Sequence, residues 1–192
     1  MVDGSKATSF LAVMLAIAAF LLCGCASTAS NGNDQIVKAA IELAEEYRSL
    51  GRLEDSIGVY DKALERTYDY RLLYNKALTI ANLGDFEQAA ALCQEGHGSF
   101  PYILAFKKAQ AKYYIELERW QDAASSYIEV LELDPYDTST RKALISLYVT
   151  NNEPSKAAEQ ATILWNQGYR TAETVGLMKV SLDPSLESSQ ED

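Results

Sequence analysis

The residues best suited to chemistry in this 192-residue chain are three cysteines and one histidine. Cys93 and His97 lie four residues apart in the sequence CQEGHGSFP and can share one face of a helix. Two ligands are half of what a structural zinc site needs. Cys93 also occupies an apolar position of its helix, so we interpret it as a core residue. Gly96 and Gly98 predict the end of that helix, which would make His97 a solvated loop residue near a helix C-terminus.

Other catalytic patterns are missing from the sequence. It contains no glycine-rich nucleotide-binding loop, no H-E-x-x-H and no G-x-S-x-G. Acidic pairs such as Glu45-Glu46 lie on helical segments with cations nearby, which favours solvated faces over paired catalytic acids. With 17 Lys+Arg against 27 Asp+Glu, the net charge of −10 disfavours nucleic acid as a partner. We therefore expect no enzymatic activity, no metal and no cofactor.

The other two cysteines, Cys23 and Cys25, close an apolar run near the start of the chain. Residues 1–9 are polar with one cation, and residues 10–22, FLAVMLAIAAFLL, are uninterrupted and apolar. As a helix this run would rise only about 20 Å, against a hydrocarbon core of about 30 Å. The length is short for a spanning helix and fits the apolar core of a secretory signal peptide. An uncleaved anchor helix is the alternative, and it too would tether the chain to a membrane.

The sequence Leu22-Cys23-Gly24-Cys25 resembles the lipobox of bacterial lipoproteins, in which an aliphatic and a small residue precede the cysteine that is lipidated. Cys25 follows the small Gly24, whereas Cys23 follows the bulky Leu22. The resemblance implies a lipoprotein signal peptide at 1–24 and Cys25 as the lipid-bearing first residue of the mature chain. It implies a thioether-linked diacylglycerol there, often with an amide-linked acyl chain such as palmitate, which makes attachment effectively permanent.

A polar stretch follows the lipidation site. Residues 25–36 contain the cysteine and the sequence ASTASNGNDQ, whose composition favours a flexible tether. Ten such residues span on the order of 17 Å root-mean-square, which would hold a folded domain close to the bilayer. Many lipoproteins of the inner membrane have Asp after the lipidated cysteine, and this chain has Ala26. We therefore expect the periplasmic face of the outer membrane if the organism has two membranes.

A repeat of 33 to 34 residues follows the tether. The turns SLGRLED, NLGDFEQ, ELERWQD and TNNEPSK recur, and their equivalent positions are Gly51, Gly84, Glu118 and Asn152. Small residues recur at the two positions where paired helices would touch, because a bulky side chain there would separate the helix axes. They are Ala44, Ala77 and Ala111 in the first helices, with Ile145 as the departure, and Ser56, Ala89, Ala123 and Ala157 in the second helices.

This pattern resembles the tetratricopeptide repeat (TPR) family over about residues 37–171. The resemblance implies an all-α fold, a right-handed α-solenoid of about four helix-turn-helix units with a C-terminal capping helix. The TPR units are expected at about 37–69, 70–103, 104–137 and 138–171, the capping helix at 172–181, and a disordered acidic tail at 182–192.

TPR proteins hold a partner's peptide or helix in a concave groove lined by the first helix of each unit. In this register Lys108, Lys112 and Lys142 bring three cations near the apolar Tyr74 and Leu78, which suits an acidic peptide with an apolar anchor. Ordinary solubilising lysines are the alternative. The predicted partner-binding groove consists of Arg71, Tyr74, Asn75, Leu78, Asn82, Lys108, Lys112, Ile115 and Lys142.

The chaperone-tail carboxylate clamp of some TPR proteins does not fit this chain. Its positions here hold Ile41, Glu45, Asn75, Ala105 and Ala109, and only Asn75 matches. The sequence therefore predicts a membrane-anchored TPR adaptor that binds another envelope protein without being an enzyme. The alternatives are a lipoprotein that binds a small apolar ligand near Tyr74, Leu78 and Tyr114, a transport-system accessory component, and a self-assembling scaffold.

Overall fold

A computed structural model describes residues 32–182, apart from the side chains of residues 173, 177 and 180–182. Within this range every regular element is an α-helix. The helices are α1 (32–49), α2 (Leu53–Leu64), α3 (Tyr70–Asn82), α4 (Phe86–Ser99), α5 (Ala105–Glu116), α6 (Trp120–Leu133), α7 (Thr138–Thr150), α8 (Pro154–Asn166) and α9 (Ala172–Leu182). The predicted signal peptide, Cys25, most of the tether and the acidic tail beyond Leu182 lie outside the described residues.

The chain divides into two compact units, a first unit that ends at Leu72 and a second unit that begins at Leu73. The boundary falls in the first turn of α3. In the first unit, α1 and α2 pack around the fully buried ring of Tyr60, with Val37 and Ala44 in the same core. In the second unit the main core joins α5 to α8 and includes the fully buried Leu144, Ile145 and Leu164. The predicted capping helix is observed as α9, which contacts α8.

The turns between paired helices confirm the predicted register. The equivalent positions have positive φ angles of 72° at Gly51, 87° at Gly84, 57° at Glu118 and 55° at Asn152. In the third of these turns the amide of Arg119 donates to the carbonyl of Tyr114 at 2.8 Å, which closes the end of α5. A left-handed residue at this place ends one helix and directs the chain into the next.

The predicted contact positions of the repeat are buried in all four pairs. None of their side chains has any exposed surface: Ala44, Ala77, Ala111 and Ile145 in the first helices, and Ser56, Ala89, Ala123 and Ala157 in the second helices. Small side chains at these places let the axes approach closely. This part of the sequence prediction is confirmed, and Pro154 occupies the first turn of α8 as its missing amide allows.

Helix α1 begins earlier than the sequence predicted. Residues 32–36 are helical, although the sequence placed them at the end of a flexible tether. Asp34 accounts for the difference, because its carboxylate pairs with Lys38 one turn later and with Arg71, both at 2.8 Å. These contacts favour a helix over a solvated chain at this place.

Helix α4 ends later than the sequence predicted. It continues to Ser99, so Gly96 and Gly98 do not end it. Gly96 is buried, and a Cβ atom there would lie 2.7 Å from Cδ1 of Phe106, inside van der Waals contact. Phe106 itself is fully buried. Gly96 is therefore a packing glycine, which lets the aromatic ring of α5 approach the backbone of α4.

None of the helices within residues 32–182 has the length and apolar character that crossing a bilayer requires.

Candidate partner-binding site

A cleft in the second unit brings two of the three predicted groove lysines together. Its volume is about 300 Å³, and its lining residues come from α5, α6 and α7: Lys108, Lys112, Tyr127, Ser139, Thr140 and Ala143. Lys108 and Lys112 are one helical turn apart, so they belong to the same face of α5. We call this surface the lysine cleft.

The ammonium group of Lys108 is held by a carboxylate of the protein itself. It pairs with Asp137, the N-cap residue of α7. Asp137 also accepts hydrogen bonds from the amide of Thr140 at 3.1 Å and from the hydroxyl of Ser139 at 2.6 Å. Burial favours the neutral acid, but the Lys108 ammonium and these hydrogen bonds hold the pKa of Asp137 well below its usual range. The positive charge of Lys108 is thus compensated from within.

Lys112 differs from Lys108 in its electrostatic surroundings. Its side chain is exposed, and among residues 32–182 no carboxylate pairs with it. Lys142 is also exposed on α7, but it does not line the lysine cleft. Lys112 is therefore the cation of the lysine cleft that can meet a negative group from outside the protein.

The predicted groove residues of α3 are arranged differently. The ring of Tyr74 meets Phe106 edge-on, with centroids 5.7 Å apart and an interplanar angle of 80°. Burial raises the pKa of the Tyr74 phenol, and this residue attaches α3 to α5. None of the remaining predicted positions lines the lysine cleft: Asn75 and Leu78 are half-buried, Asn82 is exposed, and Ile115 packs against the core of the second unit.

Arg71, the predicted groove cation of the first unit, is compensated by two carboxylates. Its Nη2 atom lies 2.9 Å from Asp69, and its Nη1 atom lies 2.8 Å from Asp34. The hydrogen bonds that Arg71 donates to Asp69 and Asp34 raise its pKa, and the guanidinium in turn lowers the pKa of Asp69. We therefore interpret Arg71 as a residue that joins the start of α1 to the start of α3.

The residues first considered for chemistry are structural. Cys93 is fully buried, which confirms its interpretation as a core residue, and burial raises the pKa of its thiol to about 12. Such a thiol is protonated and a weak nucleophile. Among residues 32–182, no three His, Cys, Asp or Glu side chains are grouped as metal ligands.

His97 is not the solvated loop residue that the sequence predicted, because it lies in the last turn of α4. Its side chain is half-buried, and burial, followed by the charge of Lys107, lowers the pKa of its imidazole. The charged groups that act on His97, Lys107 and Glu129, lie on α5 and α6, so the residues around it in the sequence did not show them.

Four lining residues of the lysine cleft were missed by the sequence analysis. They are Tyr127, Ser139, Thr140 and Ala143. Tyr127 lies on α6, a second helix of a pair, whereas the register assigned only first helices to the groove. Asp137 was missed as well, although an Asp just before Thr138-Ser139-Thr140 is an N-cap signal that sequence reasoning could have used.

A second cleft lies in the first unit, between α1 and α2, and we call it the α1–α2 cleft. Its volume is about 420 Å³. Its lining is mainly apolar, and includes Ile36, Ala39 and Leu43, whose spacing of three and four residues puts them on one face of α1. Two cations, Lys62 in the last turn of α2 and Arg66 just after it, complete the lining. The sequence analysis gave this surface no role.

Comparison with known proteins matches part of this chain to a recognised family and its fold to solved structures. Residues 41–102 match the tetratricopeptide repeat family. A tetratricopeptide repeat protein from Parabacteroides merdae superimposes with a TM-score of 0.67 and 16% identity, over 80% of this chain and 63% of that protein. The present chain thus spans less than two thirds of that protein.

Two other solved structures share the fold. PilF of Pseudomonas aeruginosa matches with a TM-score of 0.62 and 18% identity, over 81% of this chain and 72% of PilF. The first TPR of Spaghetti (RPAP3), bound to the HSP90 peptide SRMEEVD, matches with a TM-score of 0.54 and 20% identity. That match covers 62% of this chain and 94% of the RPAP3 domain.

Residues 41–102 thus match the tetratricopeptide repeat family, and the helical pairs of residues 32–182 share the fold of solved TPR proteins. The predicted fold class, an all-α solenoid of TPR units, is confirmed by the helices of residues 32–182 and by these structural neighbours. Solenoid repeats of this kind present extended concave surfaces that are used for binding.

Proposed function

We propose that this chain is a lipid-anchored TPR adaptor of the bacterial envelope, which binds an acidic peptide or helix of another envelope protein. The observation that carries the proposal is the lysine cleft, where the exposed Lys112 stands beside the compensated Lys108 on the first-helix side of the repeats. A carboxylate entering this cleft would meet one available cation at a fixed place. The adaptor has no enzymatic activity in this proposal.

The Lys108–Asp137 ion pair holds together the two helices that flank the lysine cleft. Because Asp137 caps α7 and holds Lys108, the two helices that flank the cleft are joined by a charge-assisted contact. Ser139 is exposed and donates its hydroxyl proton to Asp137, so its oxygen remains as an acceptor toward the cleft. We infer that Lys112 selects a carboxylate and that the hydroxyl of Ser139 accepts a hydrogen bond from an amide group of the partner.

A structural neighbour supports a peptide as the occupant, because the RPAP3 domain is bound to SRMEEVD. The particular HSP90 ligand does not transfer to this chain. Four of its clamp positions hold Ile41, Glu45, Ala105 and Ala109, none of which can take the clamp's polar role toward a terminal carboxylate. We therefore propose an acidic segment of an envelope protein rather than a chaperone tail.

The anchoring part of the proposal rests on the sequence alone. The apolar run 10–22, the small Gly24 and the following Cys25 support a cleaved signal and a lipidated cysteine. Ala26 after the cysteine supports the periplasmic face of the outer membrane in an organism with two membranes. The lipid would then fix the location, and the groove would supply recognition.

Crosslinking and pull-down from envelope membranes tests the binding part of the proposal. Lys112→Glu reverses the available charge without breaking an ion pair, whereas Lys108→Glu would place a second carboxylate against Asp137 and disturb the fold. We expect Lys112→Glu to lose the protein that the native chain captures. Lys179→Glu, on the exposed surface of α9, makes the same change of charge and should keep it. Equal capture by both variants would show that the lysine cleft is not the contact surface.

Metabolic labelling with an alkyne analogue of palmitate tests the anchor. We expect Cys25→Ser to abolish labelling and to release the protein from the membrane fraction, while Cys23→Ser keeps both. Labelling that survives in Cys25→Ser would contradict the assignment of the lipidated cysteine.

A further inference from the structure

The α1–α2 cleft is apolar and uncovered among the described residues. Its apolar wall includes Ile36, Ala39 and Leu43 from α1 and Val59 from α2. Leu43 keeps 45% of its surface exposed, although it lies on the apolar face of an amphipathic helix. A contiguous exposed apolar surface of this kind marks a place where another molecule packs.

The third helix pair shows what normally covers this face. Two repeats further along, the equivalents of Ala39 and Leu43 are Phe106 and Gln110, which are 0% and 3% exposed. Both contact α4, the second helix of the preceding pair. Phe106 packs against Gly96, and the side-chain amide of Gln110 donates to the carbonyl of Ala90 at 3.4 Å.

The fourth pair repeats this arrangement. The equivalents of Ala39 and Leu43 there are Thr140 and Leu144, which are 2% and 0% exposed, and α6 contacts α7. The face formed by these positions is therefore the place of a preceding helix in both later pairs. In the first unit the same place is long enough for a helix of about three turns, because α1 extends roughly 16 Å from Ile36 to Tyr47.

The charges of the α1–α2 cleft indicate what kind of helix fits. Lys62 in the last turn of α2 and Arg66 just after this helix contribute two cations, and among residues 32–182 neither pairs with a carboxylate. Two repeats further along, the equivalent of Lys62 is Glu129, which pairs with Lys107 at 2.6 Å. Lys107 belongs to α5, the first helix of the same pair, and its equivalent in α1 is the uncharged Ala40. An ion-pair partner for Lys62 must therefore come from outside the α1–α2 pair and carry a negative charge.

We propose that the α1–α2 cleft docks an acidic amphipathic helix of a partner protein, three to four turns long, in the place that a preceding second helix takes in the later pairs. Apolar residues of the helix would cover Leu43 and Ala39, and its carboxylates would meet Lys62 and Arg66. The chain's own apolar run 10–22 contains no acidic residue, so it carries no negative charge that could pair with these cations. The site is distinct from the lysine cleft and goes beyond the proposed function.

Peptide binding to the full chain in phosphatidylcholine nanodiscs tests this docking site. The probe is a fluorescein-labelled amphipathic peptide of about 15 residues, with leucine on one face and glutamate on its flanks, and a second probe carries lysine in place of each glutamate. We expect the acidic peptide to bind, and Lys62→Glu combined with Arg66→Glu to weaken it about tenfold or more. The same double variant should gain affinity for the lysine peptide. Leu43→Ser should weaken binding of the acidic peptide as well.

The matched control is Arg170→Glu combined with Lys179→Glu, which reverses as many charges on exposed surface outside both clefts and should leave binding unchanged. If Lys112→Glu loses the acidic peptide and the variants of the α1–α2 cleft keep it, the peptide occupies the lysine cleft and the docking proposal is wrong. Equal binding of the acidic and lysine peptides would also overturn it.

A benzophenone amino acid at position 43 distinguishes the remaining occupants. Crosslinking to the acidic peptide supports the proposal. A crosslink to residues 1–31 of the same chain, or to a second copy of the chain, would overturn it, because the cleft would then have an occupant other than a partner's acidic helix.

Discussion

The α4–α5 contact and the α1–α2 cleft contain equivalent positions of the repeat, which are buried in the contact and accessible in the cleft. In the contact, the large ring of Phe106 fills the space that Gly96 leaves open, and both residues are buried. In the cleft, Ala39 and Leu43 occupy the equivalent positions and remain accessible. Equivalence in the repeat therefore does not determine burial. Burial depends on which helix precedes the pair, and the side chains differ accordingly.

Replacing one large side chain of each region by alanine should give the largest difference in the free energy of unfolding between the two regions. Phe106→Ala should lower the free energy of unfolding by about 3–5 kcal/mol, because it leaves a cavity where a fully buried ring was. Leu43→Ala, on the exposed counterpart, should cost below about 1 kcal/mol. Urea denaturation followed by circular dichroism measures both. Similar losses in the two variants would mean that the α1–α2 cleft is covered in the free protein.

A glycine pair gives the next largest difference. Gly96→Ala should destabilise by about 1–3 kcal/mol, because its methyl group would displace the Phe106 ring in a packed interior. Gly58 lies inside α2, and a Cβ atom there would meet no other atom. Gly58→Ala should therefore stabilise the folded chain by about 0.5–1 kcal/mol through helix propensity. Thermal unfolding of the two variants should move in opposite directions. A neutral Gly96→Ala would show that α4 and α5 separate more easily than their contact indicates.

The capping carboxylate of the lysine cleft should have a smaller and pH-dependent effect. Asp137→Asn should lower the free energy of unfolding by about 1–2 kcal/mol at neutral pH, because Lys108 and the start of α7 lose their anion.

The sign of the pH dependence follows from the lowered pKa of Asp137. The carboxylate stabilises the folded chain fully above its ordinary, unfolded pKa, and this contribution is lost as the pH falls below about 4. Acid titration of stability should therefore be less steep for Asp137→Asn than for the native chain. The slope should not vanish, because Asp34 and Asp69 also have lowered pKa values. An unchanged acid slope would contradict the role of Asp137.

The smallest effect concerns the turns. The first unit has Gly51 in the left-handed conformation, whereas the third pair has Glu118 with a φ of 57°. Glu118→Gly should stabilise by up to about 1 kcal/mol, because it relieves the steric cost of a side chain at positive φ. Asn152→Gly should change stability less, since Asn tolerates this conformation better. A ranking with Asn152→Gly ahead would indicate that Glu118 is stabilised by other contacts.

The sequence predicted those parts of the fold in which the local backbone conformation or a close helix contact admits few residue types. The left-handed turns at Gly51 and Gly84 and the small contact residues such as Ala77 and Ala123 belong to this group. A reversed chain and a close helix contact each admit few side chains, so their spacing of 33 to 34 residues was visible without a structure.

The parts that could not be predicted involve residues far apart in the sequence. Gly96 was interpreted as a helix end, because its contact with Phe106 crosses a turn and depends on the angle between α4 and α5. Lys108 was interpreted as an available groove cation, because the sequence does not show that Asp137 lies beside it. The sequence thus identified the lysines of the candidate site, but it did not show which of them is available to pair with a partner.

The sequence by itself determined that this chain is a helical repeat, where its units turn and which side chains hold each helix pair together, because these features recur with a fixed period and depend on neighbours within one unit. Only the tertiary structure decided which cations remain available, which faces are covered and where the clefts lie. Those properties depend on the distances between units of the repeat. The distances are set by packing, and no single unit of the sequence contains them.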